Sequence, residues 1–357
     1  MKILISLTDQ SFAATKSVGI FNVSMGLTRG LMPCSEVSEL HILGNQECAD
    51  KLRDCPAHVH LHLLNKPVPR RFGRILWDQW GVSRAIRSIK PDWAILPKGF
   101  PPFFPCIGRT KLACYVHDVN WEYYSNLHSA DSPFPSHELL YFRTLGLRAL
   151  RVSDLVLTST QFNRERFASY VSSAHTAVVG IGFDEEPSPP FSGEKWGILF
   201  YASPYPHKLT GLGISRLQAW LAQRADARQI HIHVVGKLPQ STHLPERGQW
   251  IRHDRLPSAE LRALIREQCR VCAYFSDYEG YGMPPVESLR LGTPCVASDL
   301  PPIRENIPAQ YLFSNASEED FIRCLNHAWE HPQEVELPSY PDWTTVARRC
   351  IKAMLTS

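Results

Sequence analysis

The stretch VCAYFSDYEGYGMPPVESLRLG, residues 271–292, decides how the chain folds. It opens on a short apolar and aromatic run, crosses two glycines and two adjacent prolines, and closes on a segment that stops at Gly292. In order, that is a strand, a loop and a helix entered through proline and left at glycine. The loop GYGMPP therefore delivers backbone amides to a helix N-terminus, where glycines permit close approach and the helix dipole favours an anion. Glu279 and Glu287 bracket the bend, eight positions apart. Glu287, taken to lie in the first turn of the helix, is placed to accept hydrogen bonds from a ribose diol attached to such an anion. Glu279 would reach the other end of the same ligand. Either glutamate alone reads as a helix cap or an exposed loop carboxylate; the spacing, the glycines and the double proline together favour a ligand.

Outward from this unit the same rhythm repeats. KILISL, ELHILG, HVHLHLL, WAILP, LACYVH and DLVLTST are short β-rich runs, each followed by an amphipathic or loop segment. After a break, WGILFYA, IHIHVVG, VCAYFS and PCVAS alternate with the helical patterns GISRLQAWLAQ, SAELRALIREQ and PPVESLRLG. Such alternation predicts an α/β protein with parallel sheets wrapped by helices. The 357 residues exceed one ordinary hydrophobic core, so two domains are expected. The Pro-, Ser- and acid-rich GFDEEPSPPFSGEK (182–195) separates them. The predicted organisation is a first domain over 1–183, a linker over 184–195, a second domain over 196–340, and a final helix over 341–357 packing back toward the first. Asp342 caps that helix, with Trp343, Val346, Ile351 and Met354 available for one face. Doubly wound domains bind ligands at the carboxyl ends of their strands, so a cleft between the two is the expected ligand site.

Composition removes other classes. Apolar residues make up 44% and charged residues 20% of the chain, and no low-complexity tract is present. A net charge of +3 is too mild to argue for nucleic acid as the main partner. The opening MKILISLTDQ is too short an apolar run for a signal peptide or a membrane span, so a cytoplasmic setting with reduced thiols is expected. Ten cysteines are scattered apart from Cys269 and Cys272, whose apolar surroundings favour burial over redox or metal chemistry. No Walker loop, no GxGxxG after the first strand and no GxSxG elbow occurs. There is no DxD motif and no Cys or His cluster of ligand spacing, so no metal is expected at a diphosphate.

The segment 276–294 resembles the signature of the retaining glycosyltransferases of family 4, in which two glutamates eight apart bracket a glycine-rich turn, and GTPCVASDLPPIRE continues that pattern through Glu305. The turn YEGYGMPPVES and an HD pair look most like mannosyltransferase-type members. The resemblance implies a GT-B fold of two facing Rossmann-like doubly wound domains with a deep interdomain cleft. It implies that Glu287 holds the nucleotide ribose, that Glu279 contacts the donor sugar, and that Gly280, Tyr281, Gly282, Met283 and Pro284 form the turn around the diphosphate. In YASPYPHKLTG, Lys208 aligns with the family's phosphate lysine, and Ser203 and His207 share its loop. A lysine at the phosphates stabilises charge that grows as the sugar bond breaks. Relatives carry an arginine a few positions earlier, where this loop has Ala202 to Pro206; His207, Arg304 or an arginine of the first half are the candidate replacements.

In ACYVHDVNWE, His117 and Asp118 follow a strand and resemble the family's HD pair, which implies that His117 approaches the donor sugar and that Asp118 shapes the sugar or acceptor pocket. A strand-end histidine is otherwise a hydrogen-bonded structural residue. Gly19, in TKSVGIFN, matches a glycine-bearing turn near the diphosphate, although a helix start explains it equally well. The basic, aromatic segment 70–90 is read as a helix with Ile75, Leu76 and Ile86 toward the core, the alternative being contact with anionic lipid at the inner face of a membrane.

The reaction implied is transfer of a hexose from a nucleotide sugar to a hydroxyl of a glycan or lipid-linked acceptor in surface polysaccharide synthesis, with retention and without metal. No cofactor is implied beyond the co-substrate, GDP-mannose first and a UDP-hexose next. The alternatives are a sugar phosphorylase or sugar-phosphate synthase with the same cleft, and a non-catalytic subunit that binds nucleotide sugar or glycan.

Overall fold

Parallel strands buried on both faces need uninterrupted apolar runs, and this chain supplies them at the centre of each sheet. WAIL (93–96), LVLT (155–158), CVAS (295–298) and most of CRVCAY (269–274) are buried. At the edges the pattern changes to VHLHL (59–63) and QWIRH (249–253), whose exposed and polar side chains blunt a free strand edge. The computed structural model describes residues 1–7, 18–52, 55–63, 80–103, 107–127, 132–172, 175–184, 193–240, 242–254, 256–334 and 339–357.

The chain forms two compact units, one of residues 1–125, 136–185 and 340–357, the other of 126–135 and 186–339. In the first unit the strands are β1 (Lys2–Ser6), β2 (Glu39–Gly44), β3 (Val59–Leu63), β4 (Trp93–Leu96), β5 (Lys111–Tyr115), β6 (Leu155–Thr158) and β7 (Thr176–Val178). They are all parallel, in the order β3-β2-β1-β4-β5-β6-β7. The helices between them are α1 (Val18–Leu31), α2 (Gln46–Lys51), α3 (Val82–Ile89), α4 (Asn120–Ser125), α5 (Ser136–Val152) and α6 (Gln161–Phe167). Leu4, Ile86, Ala94, Leu112, Cys114, Leu150, Val156 and Phe167 lie in one buried cluster beneath them.

The second unit repeats the plan with β8 (Gly197–Tyr201), α7 (Thr210–Ala222), β9 (His231–Val235), β10 (Gln249–His253), α8 (Ser258–Glu267), β11 (Cys269–Tyr274), α9 (Met283–Arg290), β12 (Cys295–Ser298), α10 (Pro301–Arg304), β13 (Leu312–Phe313) and α11 (Glu318–Glu330). Its parallel sheet runs β10-β9-β8-β11-β12-β13. Strand order therefore reverses between β8 and β11, which pair in register through Ala273 and Phe200. In doubly wound sheets, the carboxyl ends of the strands at such a reversal point are where ligands bind. Phe275 anchors the region below it, with ring centroids 4.9 Å from Phe313, 5.1 Å from Phe321 and 6.1 Å from Phe200.

The last helix, α12 (Trp343–Thr356), belongs to the first unit and packs on α1. Asp342 caps it by accepting from Thr345 N at 2.6 Å, and Trp343, Val346, Ala347, Cys350, Ile351 and Met354 are buried. The approach is close because α1 presents Gly26 and Gly30 to Trp343: a Cβ at Gly26 would fall on the indole ring and one at Gly30 on the Trp343 carbonyl. The expected helix over 70–90 is described only from residue 80; Ile86 is buried in α3, while Ile75 and Leu76 lie outside the described residues, as does most of the 184–195 linker.

Candidate functional site

Strands β8 and β11 end side by side, and each releases a loop at the reversal point. After β8 the chain makes a short helical turn over Pro206–Lys208 and enters α7 through Leu209, a non-glycine residue at φ 42°. After β11 it runs through Ser276 to Gly282 into α9. The two loops are latched together by the His207 carbonyl, which accepts from Asp277 N at 2.7 Å and from Ser276 Oγ at 3.0 Å. Ser276 N in turn donates to Ser298 Oγ at 2.9 Å, and Asn315 Nδ2 donates to the Ser276 carbonyl at 2.9 Å. Thr210 Oγ1 closes the other loop, accepting from Ser203 N and donating to Ser203 O at 2.9 and 2.8 Å.

This latch brings Lys208 and Glu279 together. Lys208 Nζ lies 2.6 Å from Glu279 Oε1 and 2.6 Å from the Tyr274 hydroxyl, which itself donates to Glu279 Oε1 at 2.5 Å. The Lys208 side chain keeps 25% and that of Glu279 12% of its surface exposed. Burial pushes the Glu279 carboxyl up, but the Lys208 ammonium, with hydrogen bonds from Lys208, Tyr274 and Ser276, outweighs it and holds the group below its ordinary value. Burial, then Glu279, raises Tyr274 well above the phenolic range, so its hydroxyl stays a donor. Glu279 is thus an ionised acceptor at neutral pH and cannot serve as a proton donor there.

His207 is pushed down to about 4, first by burial and then by the Lys208 charge, with Glu279 opposing. It is neutral at pH 7 and brings a ring N–H, not a cation. Arg304 is engaged by Asp299, with Nε 2.5 Å from Oδ1 and a second bond of 2.8 Å to Oδ2. Of these two proposed replacements for the family's arginine, neither presents an uncommitted charge, and Lys208 carries the loop's positive charge.

The turn into α9 rests on Gly282, at φ 88° and ψ 56°, a left-handed conformation that strains any side chain; an added Cβ would also sit 2.9 Å from Ile303 Cγ1. Met283 opens the helix, and Pro284 and Pro285 follow, so two of its first backbone positions carry no N–H and amide donation falls on the turn residues up to Gly282 and Met283. Glu287 is the fifth residue of α9, and no acid occupies the first turn. The expectation that it lies in the first turn is corrected: the helix starts at Met283, before the prolines, so Glu287 is half-buried in the second turn. Burial is the main cause, and the Cys272 and Glu287 charges lesser ones, of a strongly raised Tyr201, whose buried hydroxyl has no hydrogen-bond partner among the described residues.

The first unit holds the other candidates. His117 Nε2 donates to the Pro97 carbonyl at 2.8 Å, and burial depresses its pKa to about 4 although that bond opposes the shift. Asp118 Oδ1 accepts from Asn120 N at 2.9 Å at the start of α4. Gly19 is the second residue of α1, inside the helix and not in a turn, while residues 8–17 lie outside the described residues. Two features escaped the sequence reading. Tyr274, which joins Lys208 to Glu279, was signalled only by its place at the end of β11. The second is a grouping that linear spacing does not show: strand pairing brings ligand atoms of Glu39, His41 and His60 within 4.8 Å of one another. Cys269 and Cys272 are buried free thiols, both raised first of all by desolvation.

Residues 198–331, within the second unit, match the family model described as glycosyl transferases group 1. No curated protein sequence matches the chain. Among solved structures, the lipopolysaccharide outer core galactosyltransferase WaaB in its apo form is similar at TM-score 0.65 and 15% identity, over 100% of this chain and 99% of that one. Anabaena HepE in complex with UDP and glucose is similar at TM-score 0.65 and 15% identity over 100% of both chains. A sucrose-phosphate synthase from Thermosynechococcus elongatus is similar at TM-score 0.63 and 14% identity, over 99% of this chain and 94% of that one. The fold is therefore GT-B, two Rossmann-like units with parallel sheets and interleaved helices. No described helix is long and apolar enough to cross a membrane.

Proposed function

We propose that the chain is a glycosyltransferase that moves a hexose from a nucleotide diphosphate sugar to a hydroxyl acceptor, with retention of anomeric configuration and without a metal at the diphosphate. The observation that carries this reading is the Lys208–Tyr274–Glu279 cluster at the reversal point between β8 and β11, beside the Gly282 turn into α9. The match of residues 198–331 to the group 1 glycosyl transferases supports it. In this reading Lys208 takes the charge that develops on the leaving diphosphate, and the amides of the Gly282 turn donate to its other oxygens with the α9 dipole behind them. Glu279, held ionised, accepts hydrogen bonds from sugar hydroxyls, and Glu287 does the same for the ribose. The leaving phosphate oxygen takes the acceptor proton, so no dedicated base is required. His117, donating through Nε2 to Pro97, offers Nδ1 as an acceptor for a hydroxyl.

The likeness of the turn favours GDP-mannose, while the UDP and glucose bound to Anabaena HepE favour a UDP-hexose. A glycan or lipid-linked acceptor fits the lipopolysaccharide galactosyltransferase neighbour, and a phosphorylated sugar acceptor fits the sucrose-phosphate synthase neighbour. The test is calorimetry of GDP, UDP and ADP with chelator present, on the natural chain and on Glu287→Ala. One nucleotide binding selectively, and weakening in the variant, supports the reading; no nucleotide binding at all overturns it.

A further inference from the structure

At the edge of the first unit's sheet, parallel pairing sets His41 of β2 opposite His60 of β3. Alternate residues of a strand share a face, so Glu39, His41, His60 and His62 come together on one side. His41 is buried at 8% exposure, whereas His60 and His62 are exposed. His41 Nε2 lies 3.0 Å from Glu39 Oε2, and that same oxygen is 2.8 Å from Lys2 Nζ. On its other side, His41 Nδ1 lies 2.8 Å from His62 Nε2. The His41 ring stacks on both neighbours, with centroids 4.8 Å from His60 and 5.1 Å from His62.

The proton positions follow from these contacts. A carboxylate paired with an ammonium can only accept, so Nε2 of His41 carries the proton and Nδ1 presents a lone pair toward His62. A carboxylate behind the far nitrogen of a histidine is the arrangement that fixes tautomer and ring orientation for metal ligation. Lys2 keeps the Glu39 charge engaged, which suits a carboxylate standing behind a ligand better than one bound to the metal. Metal–nitrogen bonds of about 2.0–2.1 Å set two ligand nitrogens roughly 3.0–3.4 Å apart, and a small rotation of the exposed His62 opens its gap to His41 that far. His60 is exposed, stacks on the same ring, and has a ligand nitrogen within 4.8 Å of one on His41.

We propose that His41, His60 and His62 bind a first-row divalent transition metal of the zinc type, with His41 ligating through Nδ1 and Glu39 orienting it from behind. Imidazole is a suitable donor for zinc, nickel and copper, and water fills the positions open to solvent. The bound ion pins edge strand β3 to β2 and stabilises the folded chain by mass action. The site shares no residue with the Lys208–Glu279 cluster of the second unit.

Zinc chloride is titrated calorimetrically into the full, untagged chain after removal of chelator, with thermal melting in parallel. The variants are His60→Gln with His62→Gln, two exposed positions whose change leaves the core intact, and His253→Gln, which disrupts another close imidazole pair, His233 Nδ1 to His253 Nε2 at 3.1 Å. The expected result is one zinc per chain, affinity lower by about tenfold or more in the double variant, an unchanged affinity in His253→Gln, and a zinc-dependent rise in melting temperature lost only in the double variant. Absence of binding to the natural chain, equal affinity in the double variant, or loss in His253→Gln instead would each overturn the proposal and leave a hydrogen-bonded imidazole pair on a sheet edge.

Discussion

Lys208 and Glu279 are 71 positions apart in the chain, yet Nζ and Oε1 lie 2.6 Å apart because the loops after β8 and β11 share the His207 carbonyl as a common acceptor. The pair is shielded on one side by Tyr274, whose ring centroid lies 5.1 Å from the ammonium.

Removing the ammonium separates its two effects. Lys208→Met leaves a largely buried carboxylate with only neutral donors, and a loss of roughly 2 kcal/mol of stability is expected. Turnover of the donor should fall about 10²–10³-fold, as for loss of a group that meets developing charge. Tyr274→Phe removes one hydrogen-bonding hydroxyl and keeps the shape, so about 1 kcal/mol of stability and a smaller loss of turnover are expected. Denaturant melts and steady-state rates on both variants check this; equal losses of rate would show that Lys208 acts only by holding Tyr274 and Glu279.

Acid should weaken the fold in a direction set by the groups involved. The Glu279 carboxyl is lowered in the folded chain, so its contribution is present above the unfolded value of about 4.3 and is lost as pH falls through the folded value. Unfolded histidine takes up its proton near about 6.5, whereas His117 does so near about 4 in the folded chain. Between those values the unfolded state binds more protons, and stability declines as pH drops. Melting curves from neutral pH downward should show this decline, with a shallower slope in His117→Asn; an unchanged slope would remove His117 from the account.

For the reaction, neutral His117 and His207 should give no inflection between about pH 5.5 and 8. A profile of kcat/KM across that range checks it. An inflection that disappears in His207→Asn would mean that His207 works as a charged group.

Gly282→Ala places a side chain at φ 88° with its Cβ 2.9 Å from Ile303 Cγ1. A loss of about 1–3 kcal/mol is expected, along with weaker nucleotide binding, because the turn that aims the amides must shift. Nucleotide affinity equal to that of the natural chain, in a variant that still folds, would exclude this turn from the diphosphate site.

Gly26→Ala tests the docking of α12. With the Trp343 ring occupying the space of the new Cβ, the helix must move away from α1, and a loss of about 1–3 kcal/mol is expected. A thermal melt at unchanged nucleotide affinity is the signature, since Glu279, Glu287 and Lys208 all belong to the second unit.

The local code of this chain is unusually complete at the centre of its sheets. Apolar runs such as WAIL and CVAS, the Asp342 cap and the bend at Gly282 each follow from chemistry spanning a few residues, so the strand–helix alternation was legible in sequence, whereas GT-B was implied by the family resemblance of residues 276–305 and agrees with the fold observed. Short or polar elements were not: β7, β10 and β13 carry too few apolar residues for a periodic signal, and only pairing to a neighbouring strand defines them. Glu287 could be picked out by its spacing, but its helical turn depended on where α9 begins relative to two prolines.

The sequence by itself determined where strands and helices would alternate and where a glycine bend would aim amides at a helix N-terminus, because those preferences act within a few residues of the chain. Tertiary structure alone decided that Tyr274 bridges Lys208 and Glu279, that Asp299 engages Arg304, and that Glu39, His41, His60 and His62 share one face. Those relationships depend on strand register and on loops released from non-consecutive neighbouring strands, and a register is set by the packing of whole sheets, not by any local stretch.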